Sequence, residues 1–371
     1  MKPLLIIAII ALILGSVFFG FAFYQNGSFD FHSYVTRTEI IEEDFSSIEA
    51  DLTEADLTVL PATDGKCTLV ITERKNLSHT YAVENGTLKL NAPKMHWYDY
   101  ISIFSKSKPI TLYLPATEYE ALTLKNDTGD ITVDKAFSFE SIELTASTGD
   151  IALYASAEAD CKLEVSTGDI TAKDITAASF SATRSTGDLH IENLTVSGTV
   201  KIKGSTGKAT LKNICAGGAL DIITSTGNIH ADTVSADSLS IDGTTSKIAL
   251  SKIDIKTFTH LKASTGDISI QEMQGDSLKI RTSTADARLT SCILHSSIDA
   301  SASTGDVIFD GCDAPRIQAD VGTGDVKGTL LTPKAFDARS STGKVTVPQS
   351  DPSGGSCLIS VNTGKIDISI K

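Results

Sequence analysis

Aromatic residues are scarce in this chain, at 6% of 371 residues with a single tryptophan. β-Branched residues are plentiful, and that combination favours a chain dominated by strands. Basic residues are also in short supply. Lys and Arg number 32 against 46 Asp and Glu, a formal charge of −14. A general nucleic-acid binder would carry a basic stripe, so that class is excluded. Broad attraction to anionic lipid is excluded on the same ground. There is no CxxC pair or comparable spacing among Cys67, Cys161, Cys215, Cys292, Cys312 and Cys357, which argues against a zinc site. No Ser/His/Asp, Cys/His or paired-carboxylate arrangement stands above chance, and the reading is that of a non-enzyme without a cofactor.

Long apolar runs are missing too, except one. Residues 3–24 read PLLIIAIIALILGSVFFGFAFY. At 1.5 Å per residue a helix of that length spans about 30 Å, the hydrocarbon thickness of a bilayer. Lys2 precedes it, and the first basic residue after it is Arg37. The positive-inside bias therefore places the N-terminus in the cytoplasm and the rest of the chain outside, as a single-pass protein of the cell membrane. A cleaved signal peptide would have a shorter apolar region and a small-residue cleavage site, so the run favours an uncleaved signal anchor. Both readings export the remainder. Residues 25–34 form a tether.

What the chain has in abundance is one tetrapeptide. Ser147-Thr148-Gly149-Asp150 recurs as Asp127–Asp130, Ser166–Asp169, Ser185–Asp188, Ser205–Lys208, Ser225–Asn228, Thr244–Lys247, Ser264–Asp267, Ser283–Asp286, Ser303–Asp306, Gly322–Asp325, Ser341–Lys344 and Asn362–Lys365. These thirteen copies are spaced by 19 to 21 residues. A fixed period of that size is the signature of a solenoid. Counted from the glycine, positions two and four later are apolar and alternate with polar residues, as in Ile151 and Leu153 or Ile268 and Ile270. Positions five and seven earlier do the same, as in Leu144 and Ile142 or Ile280 and Leu278. Each coil thus has two short strands with one buried face, flanking the tetrapeptide, and a third short side marked by residues such as Ile175, Leu194 and Met273. The expected fold is all-β: a parallel β-solenoid, right-handed, of about 13 coils of 19–21 residues, with residues 121–371 as the repeat array. Residues 35–120 alternate without the 20-residue period and are expected to form an irregular β cap over the first coil.

The tetrapeptide is read as a corner. Glycine frees the backbone at Gly129, Gly149, Gly168, Gly187, Gly207, Gly227, Gly266, Gly305, Gly324, Gly343 and Gly364, while Ser, Thr and Asp bond groups left over by the bend. Three functional readings compete with that one. Stacked carboxylates at Asp130, Asp150, Asp169 and Asp188, and again at Asp267, Asp286, Asp306 and Asp325, are weak calcium candidates; the calcium β-roll motif itself is absent. The unbroken threonine column suggests an ice-binding face, yet its partner rank is serine and it lies at a bend. A polysaccharide-active β-helix enzyme would need long cleft-forming loops, which uniform coils do not offer. The residue after the glycine varies between Asp, Asn and Lys, and is read as the place where surface chemistry is written.

Register also bears on the cysteines. Cys161 and Cys357 fall in one buried column but far apart. Cys292 and Cys312 occupy one column in neighbouring coils, close enough for a disulfide or for stacked free thiols. Residues 94–104 hold the densest aromatic cluster, including Trp97, Tyr98, Tyr100 and Phe104, which would either pack the cap or form a contact patch. Lys365, Asp367 and Lys371 put charges near the last coil, where an open, weakly self-associating end is expected.

The chain resembles the bacterial "putative adhesin" domain family of unknown function, including LiaG-like membrane proteins. The likeness rests on Ala50–Val59, on Ile110–Pro115 and on the Ser-Thr-Gly-Asp-Ile coils, and it covers residues 40–371. It implies a β-solenoid outside a bacterial cell, often membrane-anchored, with no established catalytic residues to carry over. The resulting expectation is a non-enzymatic surface protein presenting a rigid rod to an unknown envelope or surface ligand. The alternative is an accessory protein of envelope-stress sensing or signalling.

Overall fold

A computed structural model describes residues 33–75, 77–94 and 108–371. The apolar run 3–24 and the aromatic patch of Trp97, Tyr98, Tyr100 and Phe104 lie outside the described residues. Among the described residues no helix is long and apolar enough to cross a membrane.

The described chain is an all-β parallel solenoid, and the tetrapeptide corners link its strands. One coil shows the construction. Asp160–Thr167 leads into the corner and Ile170–Ala177 leads out. Cys161, Leu163, Val165, Ile170, Ala172, Ile175 and Ala177 all point inward and are at most 4% exposed. The next coil, Ser179–Thr186 and Leu189–Val196, pairs with it in parallel, Leu163 on Ala182 and Ile170 on Leu189. Apolar ranks therefore stack at about 4.8 Å, and aliphatic residues fill a core too thin to need many rings.

A second corner separates the second side from the third. Asp174, Asn193, Asn213, Thr233, Lys252, Glu272 and Ser291 share one column and have φ between 52° and 59°. The left-handed bend turns the following Ile175 or Leu194 back inward. In the early coils this bend carries a side-chain ladder, with Asn213 Nδ2 on Asn193 Oδ1 at 2.8 Å and Asn193 Nδ2 on Asp174 Oδ1 at 2.7 Å. Asn and Asp tolerate this region. Lys252 and Glu272 do not favour it, so their conformation is held by the coils on either side.

The N-terminal region differs from expectation. Ser47–Leu52 and Leu57–Pro61 form a coil of the stack, pairing in parallel with Tyr119–Thr128 and Ile131–Val133. Its corner is Thr53-Glu54-Ala55-Asp56. On its other side lie Thr87–Asn91 and Ile110–Leu114, also parallel to it. The cap proper is antiparallel: Tyr34–Ile41 on Cys67–Arg74, Cys67–Arg74 on Ile110–Leu114, and Thr80–Glu84 on Thr87–Asn91. Residues 35–120 are thus two further coils closed by antiparallel strands. The rings of Phe45, Tyr119, Phe137 and Phe139 pack near this end with centroids 5.7–6.5 Å apart.

The C-terminal end repeats the device. Arg316–Thr323 pairs with Gly355–Thr363, and only then does Gly355–Thr363 pair with Lys334–Ser340. Likewise Val326–Leu330 pairs with Ile366–Ile370, which in turn pairs with Val345–Thr346. The last coil in sequence is therefore the second-last in space. The open edge expected at Lys365, Asp367 and Lys371 lies one coil further out, because Ile366 and Asp367 pair on their outer side with Val345 and Thr346. The outer edge belongs to Lys334–Ser340. Part of that edge is covered by the return loop, since Ser350 Oγ accepts from Phe336 N at 2.9 Å and Asp351 N donates to Lys334 O at 2.9 Å. Filling exposed ladder positions with loop groups blunts strand pairing.

Candidate functional site

The corners come first because they are the most repeated chemistry. Gly149 has φ 139°, and a Cβ there would lie 2.2 Å from Gly129 O. At Gly187 the corresponding figures are 130° and 1.9 Å from Gly168 O. Stacked corners touch backbone to backbone, so the glycine is required by the approach of the next coil as well as by its own dihedral. Ser246 and Ala285 stand in for glycine at corners that avoid the positive-φ region.

The aspartate after the glycine has a defined task. Asp150 N donates to Asp130 Oδ1 at 2.8 Å, Asp169 N to Asp150 Oδ1 at 2.7 Å, Asp188 N to Asp169 Oδ1 at 2.6 Å and Lys208 N to Asp188 Oδ1 at 2.7 Å. The ladder resumes with Asp286 N on Asp267, Asp306 N on Asp286, Asp325 N on Asp306 and Lys365 N on Asp325. Each carboxylate holds the corner of the coil after it. The eight calcium candidates are thus all hydrogen-bonded to backbone through one oxygen. Among the described residues no group of three His, Cys, Asp or Glu could hold a metal ion. The position is wired into the backbone through one oxygen, while Asp150, Asp169 and Asp188 stay exposed on the surface. Lys208 and Lys247 end ladder runs because an ammonium cannot accept an N–H. Burial pushes the Asp306 carboxyl up, but Asp325 N–H and the Lys327 ammonium, 2.6 Å away, outweigh it and hold the group below its ordinary value.

Inside the corner, the column three before the glycine is mostly small or apolar, but four polar residues in it cap corner carbonyls. Arg184, only 3% exposed, donates Nε to Gly187 O at 2.7 Å and Nη2 to Gly207 O at 2.9 Å. Asn126 bonds Ala55 O, Thr282 bonds Ala285 O and Ser340 bonds Gly364 O. Gly204 makes room, since a Cβ there would meet Arg184 Nη1 at 2.6 Å. Replacing Arg184 by Met is expected to keep the volume but strand two half-buried carbonyls, at a cost of about 1–3 kcal/mol. Urea denaturation of the variant checks it.

Cys292 and Cys312 are adjacent, buried and free. Their sulfurs lie 3.6 Å from Thr290 O and 3.3 Å from Leu289 O respectively. Stacked free thiols, rather than a disulfide, describe this pair. Cys67, Cys161 and Cys357 are buried thiols whose pKa burial pushes up to about 12. Cys215 is exposed and free.

Two places concentrate charge outside the aspartate ladder. The first is in the cap. Glu73, 1% exposed, receives Arg37 Nε at 2.8 Å, His79 N at 2.6 Å and faces His79 Nδ1 at 3.0 Å. Arg37 Nη2 also reaches His79 O at 2.6 Å, and its guanidinium lies 5.9 Å from the Tyr81 ring centroid. Nearby, Glu54 pairs with Lys108 and, at 3.7 Å, with Arg74. Burial pushes Glu73 up, but the two His79 hydrogen bonds and Arg37 outweigh it and keep its pKa low. Burial foremost keeps His79 below its ordinary value, although Glu73 opposes it. Both shifts act in one direction. A lowered His pKa means the unfolded chain takes the proton first, so stability falls as pH drops below about 6.5. The lowered Glu73 adds a loss below about pH 4.3. Between pH 7 and 5 the amides of Cys67–Arg74 are expected to lose hydrogen-exchange protection, after correction for intrinsic rates, while those of Ala219–Thr226 keep theirs.

The second is a furrow of about 560 Å³ along the corner side of the late coils. One wall is the rank Lys262, Arg281, Ser301, Asp320 and Ser360, whose members are paired coil to coil. The other is the hydroxyl rank of Ser264, Ser283 and Ser303, and the floor is made of small or short side chains such as Ala263 and Ala302. Sequence reading did not find this furrow. Its signal was present as two outward columns, but columns show neighbours and not depth.

With this geometry in view, the chain belongs to the Toastrack DUF4097 family, whose model matches residues 45–216 and again 199–369. No curated protein matches it. Similar solved structures include a "putative adhesin" from Bacteroides fragilis, 17% identical, covering 91% of this chain and 97% of that one at a TM-score of 0.29. A second "putative adhesin", from Parabacteroides merdae, is 13% identical, covering 74% and 95% at 0.34. A "putative lipid binding protein" from Parabacteroides distasonis is 15% identical, covering 91% and 97% at 0.24.

Proposed function

We propose that the chain is a non-enzymatic, membrane-anchored bacterial surface protein whose solenoid serves as a binding scaffold of the adhesin kind. The observation that supports this reading most is the uniformity of the rod. Corner after corner repeats the same backbone contacts and the same aspartate-to-amide bonds. Such a stack sets its outward side chains in fixed ranks, which suits recognition of a repetitive partner more than chemistry on a small substrate. Residues 3–24 would anchor it with the N-terminus in the cytoplasm and the rod outside.

The test uses cells producing the full chain. An amine-reactive label that cannot cross the membrane, added outside intact cells, is expected to modify exposed lysines of the solenoid such as Lys201, and the cells are expected to retain envelope material or a host surface better than cells lacking the protein. Retention that is unchanged by loss of the protein, together with an altered envelope-stress response, would move the assignment to the accessory reading. Failure of the external label to reach the rod in intact cells, with labelling after lysis, would overturn the placement.

A further inference from the structure

We propose that the furrow beside the late corners is a binding site for a linear polyhydroxyl polymer carrying anionic groups, with Arg281 and Lys262 as the anion contacts. The proposal rests on the scaffold reading above and specifies its ligand.

The charge comes first. In a chain with a net charge of −14, adjacent coils bring together His260, Lys262, Lys279 and Arg281 on one face. Lys262 Nζ is 3.0 Å from Asp242 Oδ2, and Lys279 is in register with Asp299. The Arg281 side chain is exposed, and its hydrogen bond is to a neutral group, Ser301 Oγ at 3.2 Å. Its guanidinium retains donors in the fork geometry that suits carboxylate and phosphate oxygens. His260 reports the local field: burial first, then Lys279 and Arg281, hold its pKa below the ordinary value.

The shape comes next. The wall residues belong to five stacked strands, so the furrow runs for roughly 20 Å at about 4.8 Å per coil. That length fits an extended polymer of a few units. One wall carries a hydroxyl at three successive coils through Ser264, Ser283 and Ser303; Gly322 interrupts the rank and Asn362 ends it with an amide. These groups both donate and accept, as a polyhydroxyl chain requires. The furrow has no aromatic ring, so it lacks the stacking platform of a single-stranded nucleic-acid site. Its base is side chains, not an open strand edge, so an added peptide strand has no ladder to join. Asp320, next to last along the wall, disfavours a polymer charged at every unit and favours one whose anionic groups are spaced.

Binding of the full-length protein in detergent to polygalacturonate oligomers, to poly(glycerol phosphate) and to neutral dextran tests this. The first two arms tell a carboxylate-bearing from a phosphate-bearing ligand. At least one is expected to bind, and dextran to bind at least tenfold more weakly. Arg281→Ala is expected to weaken the preferred polymer about tenfold, the scale of one lost charge-assisted contact. Ser301→Trp should abolish binding by filling the furrow, and Lys201→Ala, outside it, should change nothing. All three positions are on the outer face, and unchanged thermal unfolding controls for folding. Binding by neither anionic polymer, equal binding of dextran, or indifference to both furrow variants overturns the proposal. If Ser301→Trp leaves cell retention intact, the scaffold reading survives and the furrow assignment alone falls.

Discussion

Replacing Gly187 by alanine is expected to cost more than about 4 kcal/mol and to break the rod in its middle. The position has φ 130°, where an L side chain costs about 1–3 kcal/mol by itself. Steric contact costs more than the dihedral. The new methyl would sit 1.9 Å from Gly168 O and 3.0 Å from Asp169 Oδ1, and Asp169 is the residue that accepts Asp188 N. Relief requires the two coils to separate, which loosens Arg184 Nε on Gly187 O as well. Because stability in a stacked array is mostly nearest-neighbour, one lost interface divides the solenoid into two cooperative units. Calorimetry should show the unfolding transition split or shifted sharply down. Gly65→Ala is the control: its φ is also positive, at 71°, but nothing lies within 4 Å of its added Cβ. A drop no larger at Gly187 than at Gly65 would refute the role of the contact and leave only the dihedral.

That comparison shows what the repeat period reveals and what it hides. The columns two and four after the glycine, and five and seven before it, are legible because burial alternates with polarity at every coil; Ile170, Ala172, Leu163 and Cys161 are all buried as their columns require. The aspartate was legible as a corner residue but not as a ladder. Sequence gives the carboxylate and cannot say that its acceptor atom faces an amide 19 or 20 residues later rather than solvent. The left-handed bend had a partial signal in Asp174, Asn193 and Asn213, which Thr233, Lys252 and Glu272 then obscure. Arg184 was invisible for a different reason. An arginine in an apolar column reads as an irregularity, and only the neighbouring Gly204 and the two carbonyls give it a place. The furrow is absent from any column considered alone, since it exists between two of them.

The order of coils at the ends was hidden most completely, because periodicity makes every coil edge equivalent. Lys334–Ser340 could dock on Arg316–Thr323 as well as Gly355–Thr363 can, so far as the repeat pattern goes. What separates them is local. Lys334, 3% exposed, places Nζ 2.5 Å from Asp313 Oδ1, 2.8 Å from Ala314 O and 2.8 Å from Thr332 Oγ1, and Ser340 Oγ holds Gly364 O at 2.7 Å. The residues between Thr346 and Gly355 then supply the length to turn back, with Gly354 and Gly355 passing so close to Pro333 O and Pro315 O that a Cβ would lie 2.4 Å and 2.2 Å away.

Ending the chain after Gly354 should therefore remove more than it deletes. In a solenoid stacked in sequence order, losing the last repeat exposes one new edge and leaves the previous coil in place. Here Lys334–Ser340 and Val345–Thr346 have Gly355–Thr363 and Ile366–Ile370 as their ladder partners. Removal of residues 355–371 takes away both partners at once, along with the Gly364 carbonyl that Ser340 caps. Phe336 and Ala338, which pack on the core only in part, lose the surface they rest on. Residues 334–354 are expected to come free together with the deleted segment, so limited proteolysis should trim the truncated protein back to about Leu331 while the intact chain resists. The new edge would be Arg316–Thr323 and Val326–Leu330, with Ile317, Ala319, Val321 and Val326 no longer covered, and concentration-dependent association should rise. Protection of residues 334–346 in the truncated protein would mean that this coil re-docks on Arg316–Leu330, and that the repeat register alone, rather than Lys334 and the return loop, decides which coil lies where.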